Sequence, residues 1–326
     1  MQIGHLPRVR LAALPTPLDE ALRLTKALGG PRILIKRDDN TGLAMGGNKA
    51  RKLEFLMGEA LAKGVDTVLT TGAVQSNHAR MTVAAANKLG MKTILVLRGD
   101  EPMENEGNLL LDRIFGAKVR VVKGDYDRMQ QEMESIAEDL RRKGHNPLVI
   151  PVGGATGIGS IGYVDMTLEL VSQLNAMGLK ASHLIHASGS GGTQAGLALG
   201  AKALNTDMRI LGISVSRKRD PLKERVAGIA NEAAKLVHSD CKIALQDVEV
   251  YDEYIGEGYG IPTKECVEAI RLLAETEGIL LDPVYTSKAM AGLTDLIRRG
   301  EISRKDTVVF VHTGGTPALF AYKHLF

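Results

Sequence analysis

The sequence predicts an α/β fold in which two doubly wound open-sheet domains, each a parallel sheet with helices on both faces, pack against each other. Three observations predict this fold. Strand-like and helix-like segments alternate from residue 50 onward. A glycine follows each of the first four helical segments, where a left-handed residue commonly ends a helix. A glycine-rich stretch at 153–162 interrupts the alternation, which then resumes and favours two units over one large sheet.

The first unit is predicted from the segments between residues 50 and 150. Apolar residues at helical spacing predict a helix that ends at Gly64, and a short buried strand follows at 67–71. The next predicted pairs of helix and strand are 76–89 with 92–97, 108–115 with 118–122, and 126–143 with 148–150.

The second unit is predicted from the segments after residue 160. A long helix is expected at about 161–177. Strands are predicted at 183–187, 210–215 and 307–311, and helices at 193–204, 220–237, 264–277 and 287–299. Ligands of open α/β sheets bind beyond the carboxyl ends of the strands, so we expect the functional residues in the loops that follow strands.

Composition places the chain among ordinary globular proteins. Of its 326 residues 44% are hydrophobic and 24% charged, which excludes a disordered, collagen-like or coiled-coil chain. The net charge of +3 and the lack of tryptophan do not favour nucleic-acid binding. No run of 18 apolar residues occurs, so no membrane span is expected.

Cysteine and histidine usage predicts a cytoplasmic protein without a metal site. Cys241 and Cys266 form no C-x-x-C pair and no disulfide framework, and the first residues contain no apolar signal segment. His183 and His186 lie three residues apart on a predicted strand, so their side chains should point to opposite faces.

The first glycine-rich loop, Gly42-Leu-Ala-Met-Gly-Gly-Asn-Lys49, carries a candidate catalytic lysine. It resembles a Walker A loop, but Asn48 stands where that motif requires lysine, so nucleotide binding is disfavoured. Lys49 instead lies near the start of a predicted helix, whose positive end should lower the pKa of the amine. A neutral amine suits Schiff-base chemistry, and an ordinary solvated lysine is the alternative.

The second loop, Ser188-Gly-Ser-Gly-Gly-Thr193, lies between a predicted strand and a predicted helix. Backbone N–H groups at a helix N-terminus favour an anion, and the hydroxyls add donors. The dinucleotide pattern G-x-G-x-x-G fails because position 194 is Gln194. A single phosphate therefore fits this loop better than a pyrophosphate, and a ligand-free tight connection is the alternative.

Five motifs in order along the chain point to one family. They are Gly46-Gly-Asn-Lys-Ala-Arg-Lys52, Gln75-Ser-Asn-His78, Ser188-Gly-Ser-Gly-Gly-Thr193, Asp282-Pro-Val-Tyr-Thr286 and His312-Thr-Gly-Gly315. The chain resembles the pyridoxal phosphate (PLP) enzymes of fold type II, which are related to tryptophan synthase β chains. Within them it resembles the group of D-cysteine desulfhydrases and 1-aminocyclopropane-1-carboxylate (ACC) deaminases.

The resemblance implies a domain division and a set of site residues. A small α/β domain at 50–155 is inserted in a large PLP-binding domain formed by 1–49 and 156–326, and the protein is a homodimer acting on a small amino acid. Lys49 forms the Schiff base, and Asn77 bonds the phenolic oxygen of the cofactor. The resemblance further implies that the cofactor phosphate is held by Gly189, Ser190, Gly191, Gly192 and Thr193, and that Thr286 and Thr313 also contact the cofactor. It implies that the substrate carboxylate is held by Gln75, Ser76 and Asn77. Catalytic hydroxyls are expected from Ser76, Tyr259 and Tyr285.

The resemblance also indicates the reaction. ACC deaminases have glutamate and leucine where this chain has Thr286 and Thr313, so the pattern matches the desulfhydrases. The implied reaction is α,β-elimination on D-cysteine, giving pyruvate, ammonia and hydrogen sulfide. L-Cysteate sulfo-lyase activity, ACC deaminase activity and PLP binding without turnover are the alternatives.

Two further features bear on the substrate. Arg217, Lys218 and Arg219 could help to bind an anionic β-substituent, or they could form a solvated helix start. Ser287 replaces the glycine that is often seen at this position in desulfhydrases.

Overall fold

The computed structural model describes residues 1–100 and 104–326 and confirms the α/β fold with two separate sheets. Within these residues the strands are β1 (Leu18–Glu20), β2 (Arg32–Lys36), β3 (Thr67–Ala73), β4 (Lys92–Arg98), β5 (Lys118–Val122), β6 (Pro147–Ile150), β7 (His183–Ser188), β8 (Arg209–Ser214), β9 (Glu249–Tyr251) and β10 (Thr307–Val311). The helices are α1 (Leu22–Leu28), α2 (Lys49–Ala62), α3 (Asn77–Lys88), α4 (Gly107–Ile114), α5 (Tyr126–Arg142), α6 (Gly157–Ala176), α7 (Gly192–Ala203), α8 (Arg219–Leu236), α9 (Lys264–Glu277), α10 (Thr286–Arg298) and α11 (Ala318–Ala321).

The larger sheet has the strand order β1-β2-β10-β7-β8-β9, and β1 alone among these strands runs antiparallel to its neighbour. Its side chains alternate between two cores, as the pleat of a strand requires. On β2, Ile33 and Ile35 face α1, α9 and α10, whereas Leu34 faces α6 and α7. Helices therefore cover both faces of this sheet, which confirms its doubly wound architecture.

The smaller sheet has the order β5-β4-β3-β6, and all its pairings are parallel. Leu69 and Val96 face α5, whereas Val68 and Leu95 face the side that α2 and α3 cover. All four strands lie between residues 67 and 150, inside the predicted small domain. The exact boundaries at 49/50 and 155/156 stay a prediction.

Three helices between the sheets pack closely because glycines lie at their contacts. A Cβ atom on Gly162 of α6 would lie 2.3 Å from the carbonyl oxygen of Arg51 in α2. A Cβ atom on Gly196 of α7 would lie 2.2 Å from the carbonyl oxygen of Ser160 in α6. Only glycine permits these backbones to approach so closely. The packing fixes the starts of α2 and α7 relative to each other, and both starts border the candidate site.

Most predicted elements match the structure to within a few residues, but the prediction missed five. The strands β1, β2 and β9 and the helices α1 and α11 were not predicted. β1 and β9 have three residues each and α11 has four, too few to show a periodicity, and α1 has seven.

Two further predictions concern the strand histidines and membrane spans. His183 and His186 are both on β7, as predicted, and both are buried. Within the described ranges, no helix is both long and apolar enough to cross a bilayer.

Candidate active site

A cavity of about 420 Å³ opens between the two sheets, at the carboxyl ends of β3, β4, β7, β8 and β10. This is the position expected for a ligand site in open α/β sheets. The residues lining it are Asn48, Lys49, Gly72, Ala73, Ser76, Asn77, His78, Arg98, Tyr126, Val152, Gly153, Ala187, Ser188, Gly189, Ser190, Gly191, Thr193, Ser216, Arg217, Tyr259, Tyr285 and Thr313.

Lys49 is joined to the second glycine-rich loop through one side chain. The Lys49 amine donates a hydrogen bond of 3.2 Å to Oδ1 of Asn48. The Nδ2 group of Asn48 donates one of 3.0 Å to the Thr193 hydroxyl. Gly153 lies between the two on the other side. A Cβ atom added to this glycine would be 4.0 Å from Cε of Lys49 and 2.3 Å from Oγ of Ser190. The structure therefore brings the lysine beside the loop 189–193.

The Lys49 side chain faces the cavity and is otherwise enclosed by protein. Burial lowers the pKa of the amine to about 8, and the Asp282 carboxylate opposes part of this change. Lys49 is the first residue of α2, as the sequence indicates. The direction of this pKa shift agrees with the sequence prediction, but its cause is desolvation and not the positive end of the helix.

The loop 189–193 forms an anion cradle at the start of α7. Gly191 has φ of 89°, a conformation that glycine adopts without strain. A Cβ on Gly192 would lie 2.6 Å from the amine of Lys52, a buried side chain on the first turns of α2. Burial lowers the pKa of the Lys52 amine well below its ordinary value, and this amine donates to the Gly153 carbonyl at 2.6 Å. The cradle therefore combines backbone N–H groups, the Thr193 hydroxyl and a nearby amine, which together suit a phosphate. Gly192 itself does not line the cavity wall.

Asn77 is held with one end of its amide directed at the cavity. Its Oδ1 accepts hydrogen bonds from Arg80, at 3.3 Å, and from Asn108, at 3.0 Å. Its Nδ2 group lies 2.9 Å from the point where a Cβ atom on residue 315 would be. Because Gly315 has no side chain, this space stays open. An N–H donor is thus presented to a ligand, as the predicted contact with a phenolic oxygen requires.

Ser76 and Gln75, beside Asn77, have different positions. Ser76 is the N-cap of α3, where its hydroxyl accepts the N–H of Ala79 at 3.2 Å and also lines the cavity. Gln75 points away from the cavity and binds the backbone of Glu106 and Asn108. The structure thus brings Ser76 and Asn77 to the site but does not bring the side chain of Gln75 there.

Tyr259 and Tyr285 form a pair on the cavity wall. Their hydroxyl oxygens lie 2.5 Å apart, and their rings meet edge to face at a centroid distance of 5.8 Å. Burial raises the pKa of both phenols, so both are neutral at physiological pH. The structure brings together these two predicted residues, which are 26 positions apart.

The two predicted threonines differ. Thr313 lines the cavity, and its carbonyl accepts the N–H of Asn48 at 3.0 Å. Thr286 lies behind the wall, where its hydroxyl donates to Asp282 at 2.7 Å and accepts the Asp282 N–H at 2.8 Å. Asp282 also accepts backbone N–H groups of Tyr285 and Thr286 and so caps the start of α10. Thr286 therefore does not line the cavity, and it contributes by holding Asp282, which fixes the backbone of Tyr285.

The comparison with known families agrees with this geometry. The sequence profile described as "Pyridoxal-phosphate dependent enzyme" matches residues 9–314. This chain belongs to that family. Its cofactor is therefore pyridoxal phosphate, as the resemblance implies.

Similar proteins carry two kinds of name. A Klebsiella pneumoniae D-cysteine desulfhydrase is 43% identical over 325 residues, which is 98% of this chain and 97% of that protein. A Pyrococcus horikoshii protein provisionally named 1-aminocyclopropane-1-carboxylate deaminase is 46% identical over 321 residues, or 98% and 95% of the two chains.

Solved structures share the architecture of this chain. A protein described as the ACC deaminase homologue has a TM-score of 0.92 at 44% identity, covering 98% of this chain and 95% of the other. The processed form of threonine deaminase isoform 2 from Solanum lycopersicum has a TM-score of 0.66 at 19% identity. That match covers 93% of this chain and 80% of the other, and it shows the fold alone.

The residues of the cavity fit the functional groups of pyridoxal phosphate. Its aldehyde requires an amine that can lose its proton, and Lys49 provides one. Its phosphate requires a cradle without side chains, which Gly189 and Gly191 leave open at the start of α7. Its phenolic oxygen requires a donor, and the held amide of Asn77 presents one.

Sequence reasoning missed several residues that line the cavity. Asn48 was considered only as a mismatch to a nucleotide loop, although it joins Lys49 to Thr193. His78 lies in the quoted motif Gln75-Ser-Asn-His78. Burial lowers its pKa well below the ordinary value, and Nε2 contacts the Thr70 hydroxyl at 2.9 Å.

Two other missed residues, Arg98 and Tyr126, lie where strand β4 ends and helix α5 begins. The position of Arg98 directly after a predicted strand was the available signal. Of the predicted basic run, Arg217 lines the cavity. Lys218 and Arg219 are exposed and do not line it, and Arg219 pairs with Glu253 at 2.6 Å.

Proposed function

We propose that this chain is a PLP-dependent lyase that converts D-cysteine and water to pyruvate, ammonia and hydrogen sulfide. The observation that carries the proposal is the connection from the Lys49 amine through Asn48 to Thr193. Through this connection the lysine that we propose to be reactive lies beside the loop that we propose to hold the phosphate, at one cavity. Pyridoxal phosphate, when bound, delocalises the electron pair left at the substrate α-carbon after its proton is removed.

The character of the cavity wall favours elimination. Among the described residues, no aspartate or glutamate lines the cavity, and the Asp282 carboxylate is occupied by the start of α10. A pyridine nitrogen without a carboxylate partner is a weaker electron sink, which suits loss of a β-substituent. The name of the Klebsiella pneumoniae relative supports D-cysteine as the substrate.

The residues of the chain can divide the remaining work. Ser76 and Asn77 lie at the N-terminus of α3, where backbone N–H groups favour the substrate carboxylate. Lys49 can accept the α-proton once the substrate amine has replaced it, because its pKa of about 8 leaves the amine partly unprotonated at neutral pH. The neutral phenols of Tyr259 and Tyr285 can hold or donate a proton near the β-substituent.

The first experiment tests the cofactor and the lysine together. Purified protein supplied with PLP should absorb in the visible range, and Lys49→Ala should lose both this absorption and pyruvate formation from D-cysteine. Lys63→Ala, at the exposed end of the same helix, is the matched control. Wild-type protein that stays colourless with PLP would overturn the proposal.

The second experiment separates the substrates. Release of a 2-oxo acid should be fastest with D-cysteine when D-cysteine, L-cysteine and ACC are compared. The product is pyruvate from either enantiomer of cysteine and 2-oxobutanoate from ACC. The name of the Pyrococcus horikoshii relative makes ACC the necessary comparison. Comparable release from ACC would show that Thr286 and Thr313 do not prevent ring opening.

We also propose that the enzyme is a cytoplasmic homodimer. Both cysteines, Cys241 and Cys266, are free, which fits a reducing compartment. The family resemblance supports the dimer, and light scattering on the purified protein would test it.

A further inference from the structure

Helix α8 packs against the proposed phosphate loop, residues 189–193. Gly191 lies directly on this helix, since a Cβ atom added to it would be 3.3 Å from Cγ2 of Val226 and 3.6 Å from Cγ of Arg225. Arg225 is half-buried at this contact and does not line the cavity. Its Nε group donates a hydrogen bond of 2.8 Å to the Ser190 carbonyl. An arginine of α8 therefore holds the backbone of the loop from behind.

This hydrogen bond fixes the direction of one peptide group. The bond between Ser190 and Gly191 is trans, so its C=O and its N–H point in opposite directions. Because Arg225 holds the C=O from α8, the N–H of Gly191 points away from that helix. Ser190 and Gly191 both line the cavity, which lies on the other side of the loop from Arg225. The arginine thus turns a backbone donor towards the cavity.

The N–H groups at this turn have no partner within the described ranges. Gly192 and Thr193 are the first residues of α7, where the N–H groups have no acceptor inside the helix. The N–H of Gly191 donates to no acceptor in residues 1–100 or 104–326. Three successive free N–H groups beside a cavity are the arrangement that binds phosphate oxygens.

The charge of Arg225 is not neutralised by the part of the chain that the structure describes. None of the ion pairs formed by residues 1–100 and 104–326 includes Arg225. Burial and the charge of Arg217 lower the pKa of Arg225, and the Glu232 carboxylate opposes part of this change. A guanidinium group nevertheless stays protonated at any pH at which the protein is folded.

Lys52, beside the same loop, does not supply an equivalent charge. Its amine lies 2.6 Å from the point where a Cβ atom on Gly192 would be. Burial, followed by the charges of Lys49 and Arg225, lowers the pKa of this amine well below its ordinary value. Lys52 is therefore a neutral donor at physiological pH. Of these two side chains, only Arg225 keeps a positive charge there.

We propose that Arg225 is a positioning residue for the cofactor phosphate. It keeps the Gly191 N–H directed at the phosphate and places a lasting positive charge behind the loop, without touching the cofactor itself. The inference rests on the proposed phosphate loop and does not depend on which amino acid is the substrate. Both effects act on the phosphate alone, so binding of pyridoxal, which has no phosphate, should not depend on Arg225.

The test measures the binding of PLP and of pyridoxal to full-length apoprotein by absorbance titration. Arg225→Met removes the hydrogen bond and the charge. Arg225→Gln keeps an N–H donor without the charge, and Arg225→Lys keeps the charge. Lys235→Met is the matched control, because Lys235 is an exposed residue of the same helix and this change also removes one positive charge. Circular dichroism shows whether each variant is folded.

Arg225→Met should raise the dissociation constant for PLP at least about tenfold, the effect of one hydrogen bond from a charged group, and leave that for pyridoxal within about twofold. Arg225→Gln and Arg225→Lys should fall between Arg225→Met and the wild type. The phosphorus-31 NMR signal of bound PLP should shift in Arg225→Met and in Arg225→Gln, because the electric field at the phosphate changes. It should not shift in Lys235→Met.

Two results would overturn the inference. Arg225→Met could bind PLP as tightly as the wild type does. It could also lose affinity for PLP and for pyridoxal equally, which would make Arg225 a support of the fold and not of the phosphate. If Arg225→Met does not fold, Arg225→Gln decides between these outcomes by the same comparison.

Thr193→Val separates failure of the inference from failure of the proposed phosphate loop. If Thr193→Val weakens the binding of PLP alone and Arg225→Met does not, the loop holds the phosphate without help from Arg225. If neither variant changes the preference for PLP over pyridoxal, the loop itself is wrongly assigned and the inference fails with it. A protein that forms no pyruvate from D-cysteine would contradict the proposed reaction, whereas these dissociation constants would still decide the role of Arg225.

Discussion

The amine of Lys49 lies where burial favours its neutral form. Its pKa is about 8, and only the neutral amine can attack the aldehyde of PLP. We expect the rate at which apoprotein takes up PLP to rise about tenfold per pH unit below pH 8 and to level off above it, as simple titration requires. Stopped-flow absorbance on apoprotein measures this rate. A rate that does not change between pH 6 and pH 9 would contradict the environment described for Lys49.

Arg80 connects two parts of the site through one buried guanidinium group. It donates to the Gly46 carbonyl at 2.9 Å, three residues before Lys49, and it also holds Asn77 and Asn108. The single ammonium of lysine cannot reproduce this fork. We therefore expect Arg80→Lys to raise the dissociation constant for PLP at least about tenfold, equivalent to one hydrogen bond to a charged group.

The control for Arg80→Lys is Arg113→Lys, an exposed arginine on α4. Absorbance titration gives the affinity for PLP, and circular dichroism shows whether the variant is folded. A folded Arg80→Lys protein that binds PLP as tightly as the wild type would show that the Asn77 amide does not need this support.

At the residue scale, the sequence predicted the groups whose chemistry is local. Lys49 and Ser190 lie in glycine-rich loops beside helix starts, so their surroundings could be inferred from their neighbours in sequence. The position of Arg98 directly after a predicted strand was a signal of this kind, but Tyr126 could not be found in this way. Both residues line the same cavity as Arg217 because loops of the two sheets come together there, an arrangement that no local pattern encodes.

At the scale of elements, Lys288 joins helix α10 to the loop that carries Tyr259. Its side chain is fully buried, and its amine donates to the carbonyl of Ile255 at 2.5 Å and to that of Gly258 at 2.8 Å. Tyr285 is the N-cap of the same helix. The lysine therefore sets the position of one tyrosine relative to the other.

We expect Lys288→Met to lower kcat/KM at least about tenfold by releasing Tyr259, and to destabilise the fold by about 1–3 kcal/mol for each carbonyl left unpaired. Methionine keeps the length of the side chain but donates no hydrogen bond. Lys264→Met, at an exposed position on α9, is the control. Urea unfolding and steady-state kinetics measure the two effects. A loss of stability without a loss of activity would separate Lys288 from the tyrosine pair.

The elements themselves were predictable where their patterns are long. Helix α5 shows its amphipathic repeat over 17 residues, and its predicted end differs from the observed one by one residue. The strand order could not be predicted, because β10 enters the larger sheet between β2 and β7. That arrangement results from pairing between segments more than 100 residues apart, and it is what brings Thr313 next to Asn48.

At the scale of the whole molecule, a buried ionic cluster joins parts of the chain that are distant in sequence. Arg51 of α2 contacts Asp38, which follows β2, and Glu169 of α6, each at 2.9 Å. Lys36 of β2 also pairs with Glu169. The cluster ties α2, whose first residue is Lys49, to the larger sheet and to the long central helix. A buried ion pair of this kind is costly to break from one side, because the partner charges stay buried.

The cluster predicts how the stability of the protein depends on pH. The Arg51 and Lys36 charges outweigh the effect of burial and hold the pKa of Glu169 at about 2, below its ordinary value of 4.5. A carboxylate with a lowered pKa stabilises the fold above pH 4.5, here by roughly 2 kcal/mol after allowance for solvent screening, and this contribution is lost as the pH falls towards 2.

Glu169→Gln should therefore unfold at lower urea concentration than the wild type at pH 7, and the difference should shrink steadily below pH 4.5. Glu138→Gln, an exposed change on α5, should follow the wild type throughout. The difference in urea midpoint between Glu169→Gln and the wild type could instead stay constant from pH 7 to pH 3. That result would mean that Glu169 acts through packing. The ion pairs between α2 and the larger sheet would then not explain the placement of Lys49.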